Sequence, residues 1–512
     1  MPQSKVSRYV KIAVGIILLL ILAGVAAQLL FTNKIKTVLK EKVPEELNLS
    51  YANLSTNVLL GKINLTDVSA DSPQKGFDFK AKSVTVSGLH YLPLLQNGDI
   101  TIANLTMESP SITYYQREKD STSKEQGKIP SKNINIENFS IQNGTLKMLS
   151  QTSDSLATLQ GIEFTLSDIT FNQGTSTQNI PFTYGEYQLH TQKGHYDLGP
   201  LEFIAFQQMQ LNPIDGQFQQ VVLRSKYSKA ELSKRLAHEH DHYDLTIGSI
   251  ILKDWDFGME NELPYFHLGQ MQVQEPVFHV YRDKLLPDDT THKKLYNQAL
   301  RDLKLDLQVD SIQISKGLIT YKERLEADIN SKNLSFTDIE ATIYNLHTKG
   351  EGDVTVDLNA KLMGNGPFTL DWSFDPRNKA NNFLVQGSLS NFQSESISPF
   401  LKSNLNAEVK GSIQQMFFAI SGNELDSQGD MKMKYDDFEF TVLKKDRLGV
   451  NKFLTAVVNL FTKNGEKTDE DGFRHGNFKV ERNRDKSFFN YLWINLKEGL
   501  VDTMTGRGKK RD

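Results

Sequence analysis

The densest set of metal-type side chains in the chain is His238-Glu239-His240-Asp241-His242. In an extended segment alternate residues share a face, so His238, His240 and His242 would offer three imidazoles to one ion. The same run lies in a charged interruption at 225–243, where a solvated loop is the simpler reading, and no metal is expected. Paired carboxylates occur at Asp288-Asp289 and Asp436-Asp437. Acid–base catalysis needs carboxyls in unlike environments, whereas both pairs adjoin turn signals and read as turn residues. The sequence holds no nucleophile elbow, phosphate-cradling glycine loop, dinucleotide fingerprint or zincin helix. With no cysteine there is also no thiol nucleophile, disulfide framework or thiolate metal site. The expectation is a protein that is not an enzyme and needs no cofactor.

What the chain carries instead is a repeated apolar spacing. Ile100, Ile102, Leu105, Met107, Pro110, Ile112 and Tyr114 set the pattern, and Ile134, Ile136, Phe139, Ile141, Gly144, Leu146 and Met148 repeat it at identical offsets. Phe266, Leu268, Met271, Val273, Pro276, Phe278 and Val280 give it again, followed by Leu307, Val309, Ile312, Ile314, Gly317, Ile319 and Tyr321. Shorter copies run from Val58 to Val68, from Phe79 to Leu89 and from Leu245 to Phe257. Apolar residues two apart share one face of a strand, and the extra residue between pairs demands a bulge to keep that face apolar. Pro110, Gly144, Pro276 and Gly317 fall where the chain must turn or a ladder bond is missing. Stacked copies predict a mainly β fold, a long, curved, mostly antiparallel sheet with one continuous apolar surface. A closed sandwich is the plain alternative. Few helical stretches are available to cover that surface: Leu92–Leu95, 291–303, 449–462 and 487–504.

Ahead of the repeats, residues 12–31 are apolar except for Gln28. Twenty residues at about 1.5 Å each span roughly 30 Å, the thickness of a bilayer core. Ile12, Ile16, Leu20, Val25 and Leu30 mark this expected single transmembrane anchor, and Val25-Ala26-Ala27 leaves a cleaved signal peptide as the competing reading. The expected organisation is a short cytoplasmic N-terminus (1–11), the anchor (12–31), a first repeat region (32–290) and a helical connector (291–306). A second β region (307–445) and a helical and strand region with a basic tail (446–512) complete it. Lys+Arg 58 against Asp+Glu 62 gives a net charge of −4, which excludes nucleic acid as the main partner.

The stretch Leu89-His90-Tyr91-Leu92-Pro93-Leu94-Leu95-Gln96-Asn97-Gly98-Asp99-Ile100-Thr101-Ile102, continued by Leu105, Met107, Pro110 and Ile112, resembles the AsmA-like family of envelope proteins, relatives of TamB. The segments Gly429–Met433, Tyr435–Phe438 and Asn490–Trp493 are similar to the family's C-terminal region. The resemblance implies an anchor in the bacterial inner membrane, the bulk of the chain in the periplasm, and a taco-like β-groove. It implies phospholipids as cargo, a role in outer-membrane lipid homeostasis, and envelope or outer-membrane proteins as partners. Candidate groove-lining residues are Ile100, Ile102, Leu105, Met107, Ile134, Ile136, Phe139, Ile141, Leu268, Met271, Val273, Val309, Ile312 and Ile314. The alternative is an envelope assembly module that assists outer-membrane protein insertion and binds no lipid.

Overall fold

The computed structural model describes residues 23–37, 39–40, 47–72, 76–96, 98–116, 133–152, 154–175, 181–325, 332–405, 407–442 and 468–505. The protein is mainly β, its strands paired mostly antiparallel, with few helices. It forms two compact units, one of residues 1–197 with 207–213, the other of 198–206 with 214–512.

In the first unit, Lys62–Ser72 carries the short strands Asn48–Ser50 and Asn53–Asn57 on one side and Phe77–Leu89 on the other, all antiparallel. Phe77–Leu89 then faces a strand broken at Pro110 into Ile100–Glu108 and Ser111–Tyr115. Both pieces lie parallel to the single strand Ile134–Leu149. Ser155–Phe171 and the hairpin strands Tyr187–Thr191 and Lys193–Asp197 continue the unit antiparallel.

The second unit repeats that plan. Asp241–Glu260 faces Leu263–Gln274 and Val277–Asp283, broken at Pro276, and both pieces run parallel to Asp306–Arg324. An antiparallel succession follows from Leu334–His347 to Arg474–Glu481. Parallel neighbours need a crossover. Here the crossover from Asp283 to Asp306 contains the helix Tyr296–Arg301.

The copies recognised in the sequence are these parallel neighbours, and they pair in register. Ile100 lies beside Ile134, Ile102 beside Ile136, Leu105 beside Phe139 and Met107 beside Ile141. Leu268 lies beside Val309, Met271 beside Ile312 and Val273 beside Ile314. Register shifts mark the expected bulges at Asn143, Lys316 and Asp338, while at Asp67, Asp168 and Asp254 a residue in the left-handed region interrupts the ladder and the register is kept. Asp67, Asn143, Asp168, Asp254, Lys316 and Asp338, at φ between 47° and 55°, each sit between an apolar pair and the next apolar residue. Asp and Asn tolerate this conformation because their short side chains bond locally.

Helices occupy Tyr91–Gln96, Tyr296–Arg301 and Phe488–Thr505, in three of the four expected stretches. The fourth, 449–462, lies outside the described residues, as do 117–131 and the basic tail. Lys229–Arg235 and Ser398–Leu405 are helices the apolar spacing did not signal. The first of them, with the strand that begins at Asp241, corrects the reading of 225–243 as a solvated loop.

No helix among the described residues is long and apolar enough to cross a membrane. Of the expected anchor, residues 23–31 are helical; Ile12, Ile16 and Leu20 lie outside the described residues.

Candidate functional site

Register converts the repeat into rows. In the first unit Leu65, Val84, Met107, Ile141, Phe164 and Leu189 are successive cross-strand partners, and Ile63, Val86, Leu105, Phe139 and Leu166 form a second row. Phe139 and Phe164 touch edge to face across these rows, with ring centroids 6.0 Å apart. In the second unit Leu252, Met271, Ile312, Ile343, Val356, Trp372, Val385 and Ile420 make one row.

The rows differ in what covers them. Ile100, Ile102, Leu105, Met107, Ile134, Phe139 and Ile141 are half-buried, and Ile136 is buried. In the second unit Met271, Val273, Ile312 and Ile314 are half-buried, while Leu268 and Val309 are buried. Yet the apolar residues packed around Leu268 and Val309 (among them Leu252, Trp255, Phe266 and Leu346) all come from adjoining strands. Among the described residues, their apolar neighbours thus lie within the sheet itself.

From Val354 onward the sheet gains a second layer. Phe488, Tyr491 and Met504 of the C-terminal helix and Phe400 and Leu401 of Ser398–Leu405 are buried in one core with Val385, Ile420, Met431 and Met433. Phe488 stacks on Trp372 with centroids 4.6 Å apart. Both arrangements therefore occur in the second unit, a single-layer stretch and a two-layered one.

No protein-family model and no curated protein matches this chain.

Two histidines of the His238–His242 run make hydrogen bonds within the second unit. His240 Nε2 lies 2.7 Å from Glu202 Oε1, and His242 Nε2 lies 3.1 Å from the Tyr227 carbonyl. Among the described residues no three His, Asp or Glu side chains are arranged to hold a metal. The acids between the histidines meet cations. Glu239 is buried, with Lys284 Nζ at 2.6 Å and Lys486 Nζ at 2.9 Å. Asp241 takes a bidentate pair from Arg282, both contacts 2.7 Å. Asp288 also holds Lys486, at 3.0 Å, and Asp283 holds Arg324 at 3.1 Å.

Electrostatics follow from this packing. Burial alone would raise the Glu239 carboxyl, but the hydrogen bonds from Lys284 and Lys486 outweigh it and hold the group below the usual carboxylate range. Burial, with Asp241 beside it, pushes the Tyr243 hydroxyl up to about 12. Lys486 is raised by its two carboxylate partners despite its own desolvation. Lys486 lies two residues before the C-terminal helix, so the network ties that helix's start to strands far earlier in the chain.

The sequence offered no signal for these partners, which are separated by up to 247 residues. It did offer one for the helix at Lys229. Ser228 and Glu231 form a capping box, each side chain bonding the other's backbone N–H.

Proposed function

We propose that this is a non-enzymatic protein anchored by residues 12–31 in the bacterial inner membrane. It holds phospholipid acyl chains against the apolar rows of its periplasmic sheet, in support of outer-membrane lipid homeostasis. The observation that carries this reading is the in-register apolar rows of the first unit, half-buried along strand after strand. Moving a two-chain lipid through water exposes about 30 CH₂ groups at roughly 0.8 kcal/mol each, on the order of 24 kcal/mol. A run of Ile, Leu, Met and Phe side chains offsets that cost without chemistry, while the headgroup stays in water. The resemblance to AsmA-like proteins around Leu89–Ile112 supports the same reading.

The test is photo-crosslinking of the full chain in cells, with benzoyl-phenylalanine placed at Leu105 or Ile141 and, as controls, at the neighbouring exposed positions Gln142 and Lys147. Phospholipid adducts confined to Leu105 and Ile141 are expected. Adducts at none of the four sites would sink the reading. The two-layered sheet from Val354 to Thr505 favours a second reading for that stretch alone, an assembly module that contacts envelope proteins and binds no lipid.

A further inference from the structure

The only polar residue in the apolar run 12–31 is Gln28, and its side chain is fully used. Its Nε2 donates to the Thr56 carbonyl, and its Oε1 accepts from the Val58 backbone N–H at 2.9 Å. The amide thus pairs with the edge of Asn53–Asn57 as another strand's backbone would. One turn on, Thr32 Oγ1 meets Thr56 Oγ1 at 2.5 Å. Phe31 packs edge to face on Tyr91, centroids 6.1 Å apart, and Tyr91 donates its hydroxyl to the Val58 carbonyl at 2.6 Å. The end of the apolar run, the turn after Asn57 and the helix Tyr91–Gln96 are therefore fastened to one another.

That junction exposes leucine on every side. Leu59 is 95% exposed, Leu95 82%, Leu30 71% and Leu92 65%. Lys34, Lys36, Lys40 and Lys62 are exposed in the same segments. Leucines that face outward beside lysines, level with the last turns of a bilayer-length apolar run, match the boundary between acyl chains and anionic headgroups.

We infer that Leu59, Leu60, Leu92 and Leu95 form a rim that enters the interfacial layer of the membrane crossed by residues 12–31. The inference rests on the anchor reading and adds to it a contact made by the folded unit itself. Gln28 and Thr32 set the depth, because they fix Thr56 and Val58 at the level where the run ends. The rim brings the strand pair that starts the apolar rows, Lys62–Ser72 and Phe77–Leu89, to the lipid surface.

The chain has no cysteine, so single probes can be placed without background. The full chain bearing Leu59→Cys, Leu92→Cys, Leu95→Cys or, as a control, Gln142→Cys is labelled with an environment-sensitive fluorophore. Each is reconstituted into vesicles of phosphatidylethanolamine and phosphatidylglycerol and tested for flotation. Expected is a blue shift, loss of quenching by aqueous iodide and gain of quenching by spin-labelled lipid at 59, 92 and 95, with none of these at 142. If the chain floats with the vesicles but 59, 92 and 95 are quenched by iodide as 142 is, the rim is overturned and the anchor stands. If the chain does not float, the anchor reading fails and the rim with it. Lipid adducts at Leu105 report on the rows independently of both.

Discussion

Pro276 and Gly317 sit next to each other across the parallel pairing, the proline Cγ 3.4 Å from where a Gly317 Cβ would stand. That Cβ would also meet Ile339 Cβ at 3.0 Å. The proline breaks its own strand, and the glycine in the parallel copy leaves space chiefly for the Ile339 side chain of the next strand. Gly144, at the matching offset, is crowded by Ile141 and Ile162 in the same way. Gly317→Val and Gly144→Val should each cost about 1–3 kcal/mol by overpacking, although valine favours strands. Denaturant unfolding of each variant measures this, and unchanged midpoints would remove the packing argument.

The bulges give a second expectation with a built-in sign. Asn143 and Lys316 both hold φ near 53°. A β-branched residue is strained there, so Asn143→Val and Lys316→Val should each lose about 1–2 kcal/mol. Lys316→Gly should retain or gain stability, because glycine adopts this conformation freely. The ion pair it gives up, Lys316 to Glu275, is open to solvent and counts for little. Calorimetric melting of the pair Lys316→Val and Lys316→Gly decides the matter: equal melting temperatures would contradict it.

The clamp on Glu239 predicts a pH dependence. Its carboxyl lies below its ordinary value of 4.5 in the folded protein, so the native state holds that proton less tightly than the unfolded chain. Its contribution is thus complete above about pH 4.5 and is lost as pH falls below that value. Glu424, held by His292 and Arg482 against its own desolvation, acts in the same sense. Glu239→Gln should cost about 3 kcal/mol at neutral pH, since Lys284 and Lys486 lose their buried counter-charge. It should also flatten the stability curve between pH 5 and 3, which urea titrations across that range would reveal.

Much of the fold was legible because the apolar spacing is a direct image of pleat and bulge. The spacing puts Ile102 and Ile136, and Met271 and Ile312, at equivalent offsets of successive copies, and in the fold each couple lies side by side. It could not tell that these neighbours run parallel, since an alternating pattern reads the same in either direction. Tyr91–Gln96 and Phe488–Thr505 were visible from composition and helical stripe, whereas Ser398–Leu405 is too short to show a period. The junction at Gln28 was half visible: the odd polar residue stood out, but its partners at Thr56 and Val58 did not. The charge network around Glu239 was hidden, because its partner Lys486 lies 247 residues away and the segment itself looks uniformly solvated.

The sharpest division within the molecule is between rows with one layer and rows with two, and aspartate substitution separates them. Val385 has no exposed surface and lies under the C-terminal helix core, so Val385→Asp buries an unpaired carboxylate. The second unit should unfold, a loss of several kcal/mol. Leu105 sits half-buried in a row of the first unit, where an aspartate can reach water along the sheet face. Leu105→Asp should cost about 1 kcal/mol, within the ordinary range for single substitutions, while abolishing phospholipid adducts at its row neighbour Phe139. Ile136, buried between Ile102 and Ile169, should fall between the two. Hydrogen exchange read separately over each unit gives the three losses in one experiment. A Leu105→Asp loss as large as that of Val385→Asp would mean that protein, not lipid, covers the row, and the lipid reading would have no surface left to stand on.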